Sequence, residues 1–113
     1  MEKFVEETLP IPRELDPVLM NPKRFLIASL LYMLGPQTMS FIQKALKIPW
    51  GPLYTHLKRM EDEGYVRTRR VITPLGPRTM IELTERGIEA YKRLLNELQK
   101  ITSLHMNSQR LGR

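Results

Sequence analysis

Residues 38–84 read TMSFIQKALKIPWGPLYTHLKRMEDEGYVRTRRVITPLGPRTMIELT, and the order of their patterns decides the architecture. Thr38 can cap a helix that carries Met39, Phe41, Ile42, Ala45 and Leu46, while Gln43, Lys44 and Lys47 stay polar. Ile48 and Pro49 make a turn. Gly51 and Pro52 then start a second helix, because proline is tolerated in a first turn, where its missing amide hydrogen costs no helix bond. Leu53, His56, Leu57 and Met60 fall on one face of this helix. At about 100° per residue the opposite face holds Gly51, Thr55, Lys58 and Asp62, flanked by Tyr54 and Arg59. After Gly64, Tyr65 to Thr73 reads as a strand of alternating character and Arg78 to Leu83 as its antiparallel partner, with Ile81 and Leu83 facing inward. Pro74, Leu75, Gly76 and Pro77 form the tip of this ribbon, Arg67 and Arg69 lie on one face, and Arg70 and Arg78 flank the hairpin end.

Upstream, Asn21 caps a helix with Pro22 at its first position, and Gly35-Pro36 ends it. Its residues Phe25, Leu26, Ile27, Leu30, Leu31, Tyr32, Met33 and Leu34 are apolar nearly all round, the mark of a helix covered on more than one side. Downstream, Thr84 caps a last helix with Glu85 in its first turn. Ile88, Tyr91, Leu94, Leu95, Leu98, Ile101 and His105 make a stripe at three- and four-residue spacing, and the chain is expected to fray beyond Ser103. That helix, about five turns long, exceeds what a small core needs, so coiled-coil-like pairing with a second copy is expected. Phe25, Leu30, Tyr91, Leu94, Leu95, Leu98 and Ile101 are the candidate interface residues. Pro10, Pro12 and Pro17 exclude a long helix across residues 8–17 but allow a short turn before Met20. The expected organisation is an arm (1–20), a domain (21–87), and a C-terminal dimerisation helix and tail (88–113), mainly α in an α+β class.

With 113 residues the chain supports one modest core, and with no cysteine it has neither disulfides nor thiolate metal sites to reinforce that core. Dimerisation is the expected reinforcement. The longest apolar run, Phe25 to Leu34, is broken by Ser29 and Tyr32 and falls short of the ~20 residues that span a bilayer. The opening Met-Glu-Lys-Phe-Val-Glu-Glu lacks the pattern of a secretory signal, so a cytoplasmic location without membrane association is expected. Net charge is +6, and residues 1–20 hold Glu2, Glu6, Glu7, Glu14 and Asp16 against Lys3 and Arg13, leaving +9 on the rest. The positive charge of the body favours polyanionic partners. The acidic arm reads as a solvated tail, with packing on a partner subunit or shielding of the basic face as alternatives. The triplet Glu61-Asp62-Glu63 reads as the solvated end of the second helix. His56 lies on the inward side, as a core or phosphate-contacting residue, and the other histidine is His105. No cluster at ligand spacing and no nucleophile–base–orienter set is visible, so neither a metal, a cofactor nor an enzymatic activity is expected.

The runs Leu15-Asp16-Pro17, Asn21-Pro22-Lys23-Arg24, LYTHLKRMEDEGYV from Leu53 to Val66, Pro77-Arg78-Thr79, and LTERG from Leu83 to Gly87 resemble MarR-like and ArsR-like winged helix-turn-helix transcription regulators. The resemblance covers residues 15–100. It implies a two-stranded β wing beside the helix-turn-helix and a homodimer on a pseudopalindromic double-stranded DNA operator, usually as a repressor. By that resemblance Trp50, Gly51, Pro52, Tyr54, Thr55 and Lys58 match the groove-facing positions, with Arg59 on the flank, and Arg69, Arg70, Arg78 and Thr79 match the wing. Pro49, Trp50 and Pro52 stand where small polar residues are common, so base readout falls to Tyr54, Thr55 and Lys58. Trp50 either stacks on sugar or packs against the turn. The tip Pro74-Leu75 lacks the usual basic residue, which weakens minor-groove insertion and shifts affinity onto Arg69, Arg70 and Arg78. Met33, Met39 and Met60 either line a pocket for a small-molecule effector of unknown identity or belong to the core. An alternative reading is a winged-helix module that docks an acidic protein without specific DNA readout. RNA binding is weaker still, because stacked aromatics on an open sheet are missing.

Overall fold

Local caps set the helix boundaries of the computed structural model, which describes residues 11–12 and 14–111. Helix α1 spans Pro22–Leu34; Asn21 Oδ1 accepts from the amides of Lys23 and Arg24 at 3.0 and 3.1 Å, and Gly35 ends the helix at φ 79. Strand β1 is Gln37–Thr38, and the Thr38 hydroxyl caps α2, Met39–Leu46, by accepting from the Phe41 amide at 3.0 Å. Helix α3 spans Trp50–Asp62 and has no side-chain cap. It begins one residue earlier than expected, which puts Pro52 third in the helix, still among the four amides that lack a helical acceptor. Strands β2, Val66–Thr73, and β3, Gly76–Leu83, close on Pro74-Leu75 through the pair Thr73↔Gly76. The final helix α4 runs over Glu85–Leu111. The expected fraying beyond Ser103 is not seen, since neither glycine nor proline interrupts the segment before Gly112.

The sheet has three strands rather than the two of a bare wing, in the order β1-β3-β2. Gln37 and Thr38 pair with Ile81 and Met80, which ties the start of α2 to the root of the wing. Ile27, Ile42, Ile48, Leu53, Met60, Ile81 and Leu94 are fully buried between the helices and the sheet. Val18 and Leu19 join them at 1% exposure each, so the end of the segment read as an arm is part of the core. Asp16 organises that entry. Its Oδ1 accepts from the Val18 and Leu19 amides at 2.9 and 3.0 Å, and its Oδ2 accepts from the Tyr65 hydroxyl. Burial and this bond push the Tyr65 phenol up to about 12. Asp16 is therefore a structural acid rather than part of a solvated tail; residues 1–10 of the arm lie outside the described residues.

The junction between α3, the wing and α4 accounts for the EGY and LTERG segments. Gly64 takes φ 84, which a side chain would strain. The Thr84 hydroxyl donates to the Gly64 carbonyl and accepts from the Gly87 amide at 3.0 Å. Arg86 donates to the Glu63 carbonyl at 2.9 Å, pairs with the Glu63 carboxylate at 3.0 Å and lies 5.5 Å over the Tyr65 ring. A Cβ on Gly87 would overlap the Tyr65 carbonyl. On the far side Tyr91 donates to Ser29 Oγ at 2.7 Å, with Phe25 and Tyr32 rings 5.8 and 5.0 Å away, fixing α4 on α1. Among the described side chains Leu98 is the last of α4 packed on the core, and the helix continues about 20 Å beyond it. The radius of gyration, 17.8 Å, accordingly exceeds the ~13 Å of a compact domain of this length.

Candidate nucleic-acid interface

Helix α3 divides as its sequence requires. Leu53, Leu57 and Met60 are buried, whereas Trp50 and Tyr54 are 52% and 64% exposed and Gly51, Pro52, Thr55, Lys58 and Arg59 are exposed with them. The outward face is less free than its composition implies. The Thr55 hydroxyl donates back to the Gly51 carbonyl at 3.2 Å, so its lone pairs are available but its proton is engaged. Lys58 pairs with Asp62 at 3.2 Å, and the hydrogen bond and charge of that carboxylate hold the ammonium above its ordinary range. Arg59 pairs with Glu63 at 3.5 Å. Glu61 accepts from the Thr68 hydroxyl at 3.0 Å. The acidic triplet expected as a solvated end is thus three separate contacts, to the helix itself, to the wing and to Arg86.

Pairing register sorts the wing. Thr68↔Ile81, Arg70↔Thr79 and Ile72↔Pro77 lie on one face, the one on which Ile81 is buried and Thr68 meets α3. Arg70 donates to the Thr79 hydroxyl at 3.1 Å. Arg69 lies on the opposite face with Arg67, and the two share Glu82 at 3.1 and 2.9 Å. The Arg67 hydrogen bond, with the charges of both arginines, holds the Glu82 carboxyl below its ordinary range. Arg67 and Arg69 share a face, as the sequence reads them, and Arg70 lies on the other, because neighbouring residues of a strand point to opposite faces; by its pairing with Val71, Arg78 lies on the face of Arg69. Among the described residues neither Arg70 nor Arg78 is paired with a carboxylate.

A groove of about 340 Å³ lies where α2, α3 and the wing converge, lined by Thr38, Ser40, Trp50, Arg70, Arg78 and Thr79 among others. Trp50 is therefore half exposed beside the middle of the wing rather than packed into the turn. Thr38 and Ser40 were not among the sequence candidates. They reach the groove through the β1–β3 pairing, and a two-residue strand leaves no periodic signature.

His56 is half-buried, with Nδ1 3.2 Å from Arg24 Nη1, while Arg24 Nε donates to the Val18 carbonyl. Burial, then the charges of Arg24 and Lys23, push the imidazole below its ordinary range, so neutral Nδ1 accepts from Arg24. His56 thereby links α3 to α1 and the arm. The methionines do not share a site: Met33 is exposed, Met39 partly buried and Met60 fully buried. Of the candidate interface residues, Leu30, Tyr91 and Leu94 are buried in the protomer's own core, which occupies them without a partner. Phe25 and Leu98 pack partly against that core, Ile101 is partly exposed and Leu95 is exposed. Leu26, Tyr32, Met33 and Leu34 add exposed apolar surface on α1. Among the described residues no helix is long and apolar enough to cross a membrane.

The family model of a winged helix DNA-binding domain matches residues 24–102. A transcriptional regulator homologue from Pyrococcus horikoshii OT3 superposes with a TM-score of 0.74 at 33% identity, over 91% of this chain and 96% of that one. A protein described as a transcriptional regulator of the MarR family from Enterococcus faecalis V583 gives a TM-score of 0.72 at 21% identity, over 82% and 84% of the two chains, a likeness of fold. An uncharacterized protein of Methanocaldococcus jannaschii is 29% identical over 79 residues, 70% of this chain and 86% of that protein. The match across α1 to α4, joined to the helix-turn-helix and wing geometry above, places this chain in the winged helix DNA-binding domain family, with a fold shared by MarR-type transcriptional regulators.

Proposed function

We propose that the chain is a dimeric, sequence-specific double-stranded DNA-binding transcription regulator, acting as a repressor, with α3 in the major groove and the wing on the flanking backbone or minor groove. The observation that carries this reading is that the exposed face of α3 and the wing converge on one groove through Trp50 and Arg70, with Arg78 at its edge from the other face of the ribbon, neither arginine paired with a carboxylate among the described residues. An exposed helix beside cationic side chains is what positioning on phosphates and reading of base edges require. Tyr54, Thr55 and Lys58 supply few donors, so specificity on this reading comes from a small number of base contacts plus the shape of the duplex. Exposed Leu26, Met33, Leu34 and Leu95, together with the projecting end of α4, support pairing with a second copy. Two copies would present two α3 helices to successive major grooves, and a regulator seated there represses by occlusion.

Selection from a random duplex pool, followed by affinity measurements across salt, tests the reading. The expected outcome is a two-fold-related site bound with steep salt dependence. Arg70→Ala should reduce the slope of log affinity against log salt by about 1, and Arg69→Ala, already sharing Glu82, by less. Absence of salt-dependent duplex binding, with a stoichiometric acidic protein copurifying, would replace the regulator by the interaction module.

A further inference from the structure

The wing ends in apolar side chains that the described residues leave almost uncovered. Ile72 is 86% exposed and Leu75 82% exposed, in a protein whose other wing residues are largely charged or hydrogen-bonded. Exposure of two large aliphatic groups at a ribbon tip is unfavourable in water unless a partner removes them from it. Register shows where they would be used. Along the face of the ribbon that turns toward α3, the cross-strand pairs from root to tip are Thr68↔Ile81, Arg70↔Thr79 and Ile72↔Pro77. Ile72 therefore stands one pair beyond Arg70 on the same face, and Leu75 sits in the turn that follows. Arg78, without a carboxylate partner among the described residues, flanks the same end.

We infer that the wing tip is an apolar wedge for the minor groove of duplex DNA, in which Ile72 and Leu75 press on sugar walls and a base step while Arg70 and Arg78 hold the phosphates on either side. Charge selects this occupant: two guanidiniums with no carboxylate partner among the described residues, beside the apolar tip, suit a polyanion whose groove has apolar sugar walls. A second apolar protein surface would leave those cations unpaired. Wedges of this kind act by partly unstacking a step and bending the duplex, which is cheapest at flexible pyrimidine–purine steps. The tip thus reads deformability, in a molecule whose recognition helix is poor in donors. The absence of a basic residue at Pro74-Leu75 changes the mode of insertion rather than removing it.

The inference rests on the DNA-binding function proposed above, and the two can fail separately. The full chain is mixed with a duplex recovered by random-pool selection and end-labelled with a donor and an acceptor dye; affinity and bend are read for the wild type and for I72S/L75S. Both sites are solvent-exposed, so the variant keeps its fold. The expected result is a bent duplex with the wild type. With the variant, the salt slope is unchanged, the bend is lost and affinity falls about tenfold. Equal bend and affinity in the two proteins would overturn the wedge and leave the regulator standing. No duplex binding by the wild type would overturn both. A drop in oligomeric state by sedimentation, caused by I72S/L75S alone, would make the tip a protein contact and overturn the wedge.

Discussion

The junction around Gly64 and Gly87 and the tip around Pro74-Leu75 sit at opposite ends of the same ribbon and are built by opposite rules. At the junction almost every polar atom is committed: Thr84 serves Gly64 and Gly87, Arg86 serves Glu63 and Tyr65, and Asp16 arrives from the arm to take the Tyr65 hydroxyl. At the tip Ile72 and Leu75 are left almost wholly exposed by the described residues. The segment LTERG therefore holds the wing in place, while the wing ends in side chains that take no part in holding it.

The comparison is broken most severely at Gly87. Gly87→Ala drives a methyl into the Tyr65 carbonyl, and either α4 or the wing root must move. A loss of about 3 kcal/mol is expected, seen as a fall of roughly 10–20 °C in the thermal midpoint. Asp16→Ala comes next. It leaves the Val18 and Leu19 amides and the Tyr65 hydroxyl without their acceptor, at an expected cost of about 1–3 kcal/mol in urea unfolding. An unchanged urea midpoint would show that the arm is dispensable to the junction. The smallest effect belongs to the tip: I72S/L75S should leave the unfolding midpoint within about 0.5 kcal/mol of wild type, because no contact inside the protomer is lost. A larger loss would mean that the tip is part of the fold.

The same contrast explains what could be read from the chain alone. Helix starts at Asn21, Thr38 and Thr84 were legible because each cap is a bond to an amide two or three residues away. The buried face of α3 followed from its period, and Ile81 from strand alternation. Contacts across long sequence separation were not legible. Asp16 and Tyr65 are 49 residues apart, so the acidic arm could not be seen to end in a structural carboxylate. The phase that puts Arg67 and Arg69 on one face is legible from alternation, but that both meet Glu82 while Arg70 meets Thr79 follows only from the register across the ribbon. Leu30, Tyr91 and Leu94 were correctly apolar and regularly spaced, but periodicity does not say whether a stripe meets its own core or another chain.

The pairings on α3 carry one further consequence. Lys58 and Arg59 already face Asp62 and Glu63, so the C-terminal half of that helix presents little net charge to an approaching polyanion. Long-range attraction depends on uncompensated charge, whereas short-range exchange of a carboxylate for a phosphate contributes only after contact. On the proposed function the order of encounter follows: Arg70 and Arg78 capture the duplex and set the association rate, and α3 engages afterwards and governs residence time. Approach and discrimination are thereby divided between two elements of one small domain.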